Sequence, residues 1–141
     1  MNALNEIKSD EGRRPCVYRD SRGLWTIGDG ILVDPSVPGA GLRPEEMDFI
    51  TTNRIALAEA DLARRLPWVA ALDEVRRAAL VDMAYQLGAP GLLGFRSALT
   101  FCALGQWDKA ADAFLASLWA KQTPERAQRL AKQIKTGTWP T

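Results

Sequence analysis

The spacing of apolar residues changes character twice along this chain. Leu4 and Ile7 lie three apart, with Glu11 one turn further on and Gly12 after it, which predicts a short helix over 3–11 carrying Glu11 at its C-terminal end. From Val17 to Val33 the period shortens. Tyr18, Trp25, Thr26, Ile27 and Ile31 are aromatic or β-branched and are broken by "DSRG" and "GDG", which predicts a small hairpin or meander with a turn at Asp20–Gly23. The run "DPSVPGAGLRP" between Asp34 and Pro44 is rich in Pro and Gly and reads as a loop that marks a lobe boundary.

Beyond that loop the pattern is helical. Pro44 suits a first helical turn, Glu45 and Glu46 favour its positive end, and Met47, Ile50, Leu57 and Leu62 follow an approximately helical spacing up to Leu66. Leu72, Val75, Ala79, Leu80, Met83 and Leu87 step by three and four and predict an amphipathic helix that ends at Gly88. Gly91, Gly94 and Phe95 then lead into another helix. Ala110, Ala111, Phe114, Leu118 and Trp119 form one further helical face, and "TPERAQRLAKQI" opens with a Thr cap and Pro at the first helical position. The fold class expected is α+β with helix dominant: a small β-containing N-terminal lobe, a connecting helix and a helical C-terminal lobe.

Composition narrows the chemistry. With 141 residues, 47% apolar and 25% charged, the chain has the size and balance of one globular domain with a real core. Lys plus Arg number 18 against 17 Asp plus Glu, so a net charge of +1 gives no field to gather an anionic polymer, and nucleic-acid binding gains no support. The two cysteines, Cys16 and Cys102, do not make a disulfide framework and read as reduced thiols. The N-terminal stretch has no basic region followed by an apolar run, and no later window approaches a membrane span, so a cytoplasmic protein without membrane insertion is expected. Histidine is absent, which leaves acid–base chemistry near neutral pH to carboxylates, Lys, Tyr or Cys.

Among the acids, Glu11 and Asp20 stand out, one ending a helix and the other in the adjacent turn, so that the chain between them can present both across a cleft. Glycoside hydrolysis needs such a pair, one carboxyl protonated to serve the leaving oxygen and the other ionised to position a water. A helix end and a turn also carry acids for purely structural reasons, so spacing alone leaves both readings open. Arg13, Arg14, Arg19 and Arg22 between and around them read as a solvated face, with contact to an acidic ligand as the alternative. Cys16 reads as a semi-buried packing residue, since no histidine is present to activate it as a nucleophile.

Five stretches carry a resemblance: "DEG" at 10–12, "VYRDSRGLWTIGDG" at 17–30, "LDEVRRAALVDMAYQLG" at 72–88, "GFRSAL" at 94–99, and "WDKAADAFLASLWAKQTPERAQRL" at 107–130 with the closing "TGTWPT". Together they resemble the phage-type lysozymes of glycoside hydrolase family 24, the family of the T-even bacteriophage lysozymes. The likeness covers nearly the whole chain and thins around 34–60, where this sequence is shorter. It implies a single lysozyme-like domain over 1–141, with a reduced β-containing lobe and the start of the linking helix at about 12–60, and a helical lobe from 1–11 and 68–141.

The resemblance further implies an endolysin, a muramidase that hydrolyses the β-1,4 bond between N-acetylmuramic acid and N-acetylglucosamine in peptidoglycan with inversion. On it, Glu11 is the general acid, Asp20 the second carboxylate, and Thr26 the hydroxyl that holds the attacking water as both donor and acceptor. Leu32, Tyr85 and Gly30 fall at substrate-binding positions, Arg126 at the arginine that pairs with the catalytic glutamate and tunes it, and Ala98 and Ala113 where the family has polar substrate contacts. No cofactor or metal is expected. The implied partners are peptidoglycan glycan strands and a holin-type protein that permeabilises the inner membrane, with the enzyme itself a monomer held in the host cytoplasm until release.

Two positions depart from the family run "TIGxGH". Ile31 stands in place of the histidine and reads as a core residue, and Asp29 stands where an apolar residue is usual. On an extended strand Asp29 shares a side with Ile27 and Ile31, which would leave it partly buried or paired with an arginine such as Arg54 or Arg64, and away from the face of Thr26. These departures keep a second reading open, a catalytically silent peptidoglycan-binding or tail-associated module. A lytic transglycosylase on the same scaffold is a third, though it would not need Asp20 and Thr26 to hold a water.

Overall fold

The structure is a computed structural model that describes residues 2–141. Its elements divide into two units, one running to Ile50 and the other from Thr51 to Thr141. In the first, helix α1 spans Ala3–Glu11 and is closed at both ends by its own sequence: the Asn2 side chain accepts from Asn5 N–H, and Gly12, at φ 76°, returns its N–H to Lys8. A three-stranded antiparallel sheet follows, with β1 at Arg14–Arg19, β2 at Trp25–Gly28 and β3 at Ile31–Leu32, in the order β1-β2-β3. Tyr18 pairs with Thr26 and Thr26 with Leu32, so the threonine occupies the central strand, and a bulge lies between Arg14 and Tyr18. The meander with its turn at Asp20–Gly23 is the one the sequence predicts. The exposed guanidinium groups of Arg14 and Arg19 lie over the Tyr18 and Trp25 rings, at 4.5 and 4.1 Å.

Helix α2, Pro44–Arg65, begins where Pro44 requires, and the Glu46 carboxylate accepts the N–H of Arg43 at 2.7 Å. Of its predicted stripe only Leu62 is buried; Met47, Ile50 and Leu57 are exposed, while Ile55 and Ala58 pack against the core.

The second unit continues with a 3-10 turn at Pro67–Ala71, then α3 at Glu74–Leu93, α4 at Arg96–Ala103, α5 at Trp107–Leu115, α6 at Leu118–Gln122 and α7 at Pro124–Thr136. Leu62, Leu80, Met83, Leu92, Cys102, Phe114, Leu130 and Ile134 form its fully buried centre. Phe95, Phe114 and Trp119 pack ring against ring at 5.5 to 6.4 Å, and the indole N–H of Trp119 is satisfied by Gln86 at 2.9 Å. Arg76 ties α3 to the end of α7, donating to the carbonyls of Ile134 at 2.6 Å and Lys135 at 3.1 Å with its guanidinium over the Trp107 ring.

The helix expected to end at Gly88 is broken there, at φ 74° and ψ 155°, and a second short helical stretch carrying Pro90 follows across the kink to Leu93. Two further helix boundaries correct the sequence reading. The single face drawn through 110–119 is two helices: the Ser117 hydroxyl donates to Phe114 O at 2.6 Å, ending α5, and accepts from Ala120 N–H at 3.3 Å, starting α6. Thr123 precedes α7 without capping it, since its hydroxyl donates back to Trp119 O at 3.0 Å. Among the described residues no helix is long and apolar enough to cross a membrane.

Candidate active site

Glu11 is the last residue of α1, and the left-handed Gly12, followed by Arg13 at φ 41°, turns the chain from helix into β1. Its exposed carboxylate lies against Gly30 in the β2–β3 turn. A Cβ at Gly30 would stand 2.5 Å from Glu11 Cδ and 3.0 Å from Oε1, and Gly30 itself sits at φ 78°, so glycine is demanded by both the backbone and the neighbour.

Asp20 follows β1 and folds its carboxylate back over its own turn. Oδ1 accepts the N–H of Arg22 at 2.8 Å and of Leu24 at 3.0 Å, and Oδ2 faces the Arg22 guanidinium at 3.5 Å. The Leu24 N–H above all, with the Arg22 groups, holds this carboxyl below its ordinary value of 3.8 against the opposing effect of partial desolvation. It is therefore an anion across the neutral range. Thr26 is 4% exposed, and its hydroxyl donates to Leu24 O at 3.1 Å. The same carbonyl accepts Asp20 N–H at 2.9 Å. With its proton committed there, the threonine oxygen keeps its lone pairs as acceptors. Leu32, paired with Thr26 and half-buried, and the exposed Gly30 complete the predicted residues of this unit.

Three residues of the same motif correct the sequence reading. Asp29 is not on a strand: it lies in the turn between Gly28 at φ 65° and Gly30 at φ 78°, where strand alternation does not apply. Its Oδ1 is buried without a hydrogen-bond partner among the described residues, and Arg64, offered above as a partner, is engaged by Asp61. Ile31 is 41% exposed and is not a core residue, because it opens a two-residue strand at the sheet edge. Cys16 is exposed on β1 rather than semi-buried.

In the second unit Tyr85 of α3 and Arg126 of α7 line the same hollow of about 390 Å³, together with Ile55, Asp82 and Trp139. Tyr85 is exposed. Within this unit Arg126 pairs with Asp82: Nε stands 2.8 Å and Nη2 2.6 Å from Asp82 Oδ1, and Arg129 Nη2 lies 3.9 Å from Oδ2. Ala98 is buried in packing at 2% exposure, and Ala113 packs against the core. Among the described residues no three His, Cys, Asp or Glu side chains gather in a way that could hold a metal ion.

The sequence reading missed Asp34. This residue is 7% exposed and accepts the N–H of Trp25 on Oδ2 at 2.9 Å and the N–H and hydroxyl of Ser36 on Oδ1 at 2.9 and 2.5 Å. The Ser36 hydroxyl first, then the Trp25 and Ser36 N–H groups, hold its carboxyl below 3.8. The available signal was "DPS", an Asx-type turn just after a strand. Asp82 had no comparable signal, standing 44 residues from its arginine.

A family model described as phage lysozyme matches residues 8–135. The chain is 31% identical over 157 aligned positions to the protein named "Probable T4-type lysozyme 1" of Dictyostelium discoideum, covering 94% of this chain and 92% of that one. It is 26% identical to "Probable T4-type lysozyme 2" of the same organism, with the same coverage of 94% and 92%. It is 33% identical to the "Pre-baseplate central spike protein Gp5" of Enterobacteria phage T4, over 97% of this chain and 28% of that protein.

Proposed function

The chain belongs to the phage lysozyme family and is a glycoside hydrolase of the lysozyme type, and from that premise we propose how its own residues act on peptidoglycan. The bond cleaved is the β-1,4 link between N-acetylmuramic acid and N-acetylglucosamine. Glu11 donates its proton to the glycosidic oxygen as that oxygen leaves. A water held by Asp20 and Thr26 attacks the anomeric carbon from the opposite face, and its proton passes to Asp20, so the configuration inverts and Glu11 is left ionised until it is reprotonated from solvent. Gly30 and Leu32 border the reacting sugar, and the ring and hydroxyl of Tyr85 are of a kind that suits contact with a sugar ring.

The observation that carries this reading is the seating of the Glu11 carboxylate on Gly30, in the same sheet whose β2 bears Thr26 and whose preceding turn bears the ionised Asp20. The biological setting proposed is that of an endolysin in family 24 of the glycoside hydrolases, acting as a monomer that reaches the wall from the host cytoplasm once a holin-type protein has opened the inner membrane. A tail-associated lysozyme module is the second reading, favoured by the 33% identity to a spike protein of which the chain spans only 28%.

The test of the chemistry is an analysis of chain ends after incubation of the purified protein with peptidoglycan. Reducing muramic ends are expected, lost in Glu11→Gln and in Asp20→Asn. Anhydro-muramic ends would replace hydrolysis by transglycosylation, and sedimentation with the wall without any release would make the protein a binder. Undiminished turnover in Glu11→Gln would remove it as the acid.

A further inference from the structure

The peptide group between Leu24 and Trp25 is one rigid plane. Its carbonyl oxygen accepts Thr26 Oγ1 at 3.1 Å and Asp20 N–H at 2.9 Å, while its N–H, that of Trp25, donates to Asp34 Oδ2 at 2.9 Å. Next along β2, the carbonyl of Trp25 takes the N–H of Val33 at 2.9 Å, so the Trp25 N–H faces the side on which β3 has just ended. The Asp34 carboxylate occupies the place where a strand carbonyl would otherwise serve that N–H. We propose that Asp34 is a positioning residue for hydrolysis: by fixing the Leu24–Trp25 peptide plane it sets the carbonyl that orients Thr26 and the turn that orients Asp20. This inference rests on the roles given above to those two residues.

Three features make Asp34 suited to the task. It is 7% exposed, and Ser36 holds its other oxygen through both N–H and hydroxyl, so the carboxylate cannot swing away. It is ionised, and a carboxylate on a peptide N–H polarises the whole amide and strengthens its carbonyl as an acceptor. It also lies outside the attack itself, with every donor to it coming from Trp25 and Ser36. Removing it frees the Trp25 N–H, and the plane turns to find another partner. The threonine hydroxyl and the Asp20 turn then move with their shared carbonyl, and a misplacement on the order of 1 Å costs about a hundredfold in rate.

The test compares Asp34→Ala, Asp34→Asn and Ser36→Ala, with Asp20→Asn and Thr26→Ala as references, by steady-state release of reducing ends from peptidoglycan well below each variant's Tm. Asp34→Ala is expected to lose about 10- to 100-fold in kcat with KM within about twofold. Asp34→Asn retains a carbonyl acceptor for Trp25 N–H and should recover most of that loss. Ser36→Ala removes only the hydroxyl and destabilises the same loop, yet leaves the residue 36 N–H on Oδ1 and the Trp25 bond in place, and its kcat should stay near that of the unaltered chain. Wild-type kcat in Asp34→Ala, with Asp20→Asn and Thr26→Ala inactive, overturns this inference alone. Equal kcat losses in Asp34→Ala and Ser36→Ala also overturn it, reducing Asp34 to loop stability. Full activity in both reference variants removes the water-holding pair itself.

Discussion

Replacing Gly30 by alanine separates two costs that usually arrive together. The residue sits at φ 78°, where an added Cβ costs about 1–2 kcal/mol, and that Cβ would meet Glu11 Cδ at 2.5 Å. An ordinary contact begins at 3.4 Å and Glu11 Oε2 lies closer than Cδ, so the carboxylate must retreat by an amount on the order of 1 Å. Glu11 is exposed at a helix end, so the retreat itself costs little stability. It displaces the proposed proton donor, however, and for a displacement of that size a loss on the order of a hundredfold in kcat is expected. Gly28 supplies the control: it is also left-handed, at φ 65°, but its Cβ would find only Ile31 Cδ1 at 3.8 Å. Both alanine variants should therefore lower Tm by a similar amount, about 3–8 °C. Only Gly30→Ala should lose most of its activity, measured as clearing of a cell-wall suspension with thermal unfolding followed in parallel. Activity in Gly30→Ala within about threefold of Gly28→Ala would refute the placement of the reacting carboxylate on that glycine.

Two further predictions concern protons and thiols. Asp20 and Asp34 have folded-state values depressed below 3.8, so the unfolded chain binds more protons as the pH drops; their stabilisation is complete above the unfolded value and is lost as pH falls through the folded ones. Tm should decline between about pH 5 and about pH 2, and Asp34→Asn should decline less steeply; equal slopes would contradict the hydrogen-bonded carboxylate. Burial pushes the Cys102 thiol up to about 11, while Cys16 is exposed on β1. A thiol reagent near pH 8 should label one cysteine in the native protein and two in denaturant, and rapid labelling of both in the native protein would contradict the burial of Cys102.

Where structure follows from a few neighbouring residues, the sequence was readable. Gly12 ends α1, Pro44 starts α2, and the β-branched and aromatic run yields the meander, because each signal and its consequence lie within one turn or one hairpin. The failures have another origin. Ser117 sits mid-way along an apolar periodicity that is real, and only its two opposite hydrogen bonds split the helix. Asp29 falls between two glycines that adopt left-handed geometry together, which turns a strand position into a loop tip. Asp82, the carboxylate that Arg126 meets, went unremarked because the two stand 44 residues apart, a separation that no periodicity encodes.

The same distinction bears on how far the departures from the family run should weigh against turnover. Read as letters, Asp29 and Ile31 fall inside the motif and count against it. The bonds that hold Asp20 and Thr26, the residues proposed to position the water, run elsewhere: through the carbonyl of Leu24, the N–H groups of Arg22, Leu24 and Trp25, and the carboxylate of Asp34. None of these contacts uses the side chain of residue 29 or 31. The glutamate meets the turn at Gly30, a residue without a side chain, so its seat survives changes on either flank as long as the glycine remains. A motif comparison weighs side chains, and here the working parts are held largely by backbone groups whose residues are free to vary. Preserved turnover is therefore the physical expectation despite Asp29 and Ile31, and the position whose loss should matter more is Asp34, which the motif does not include.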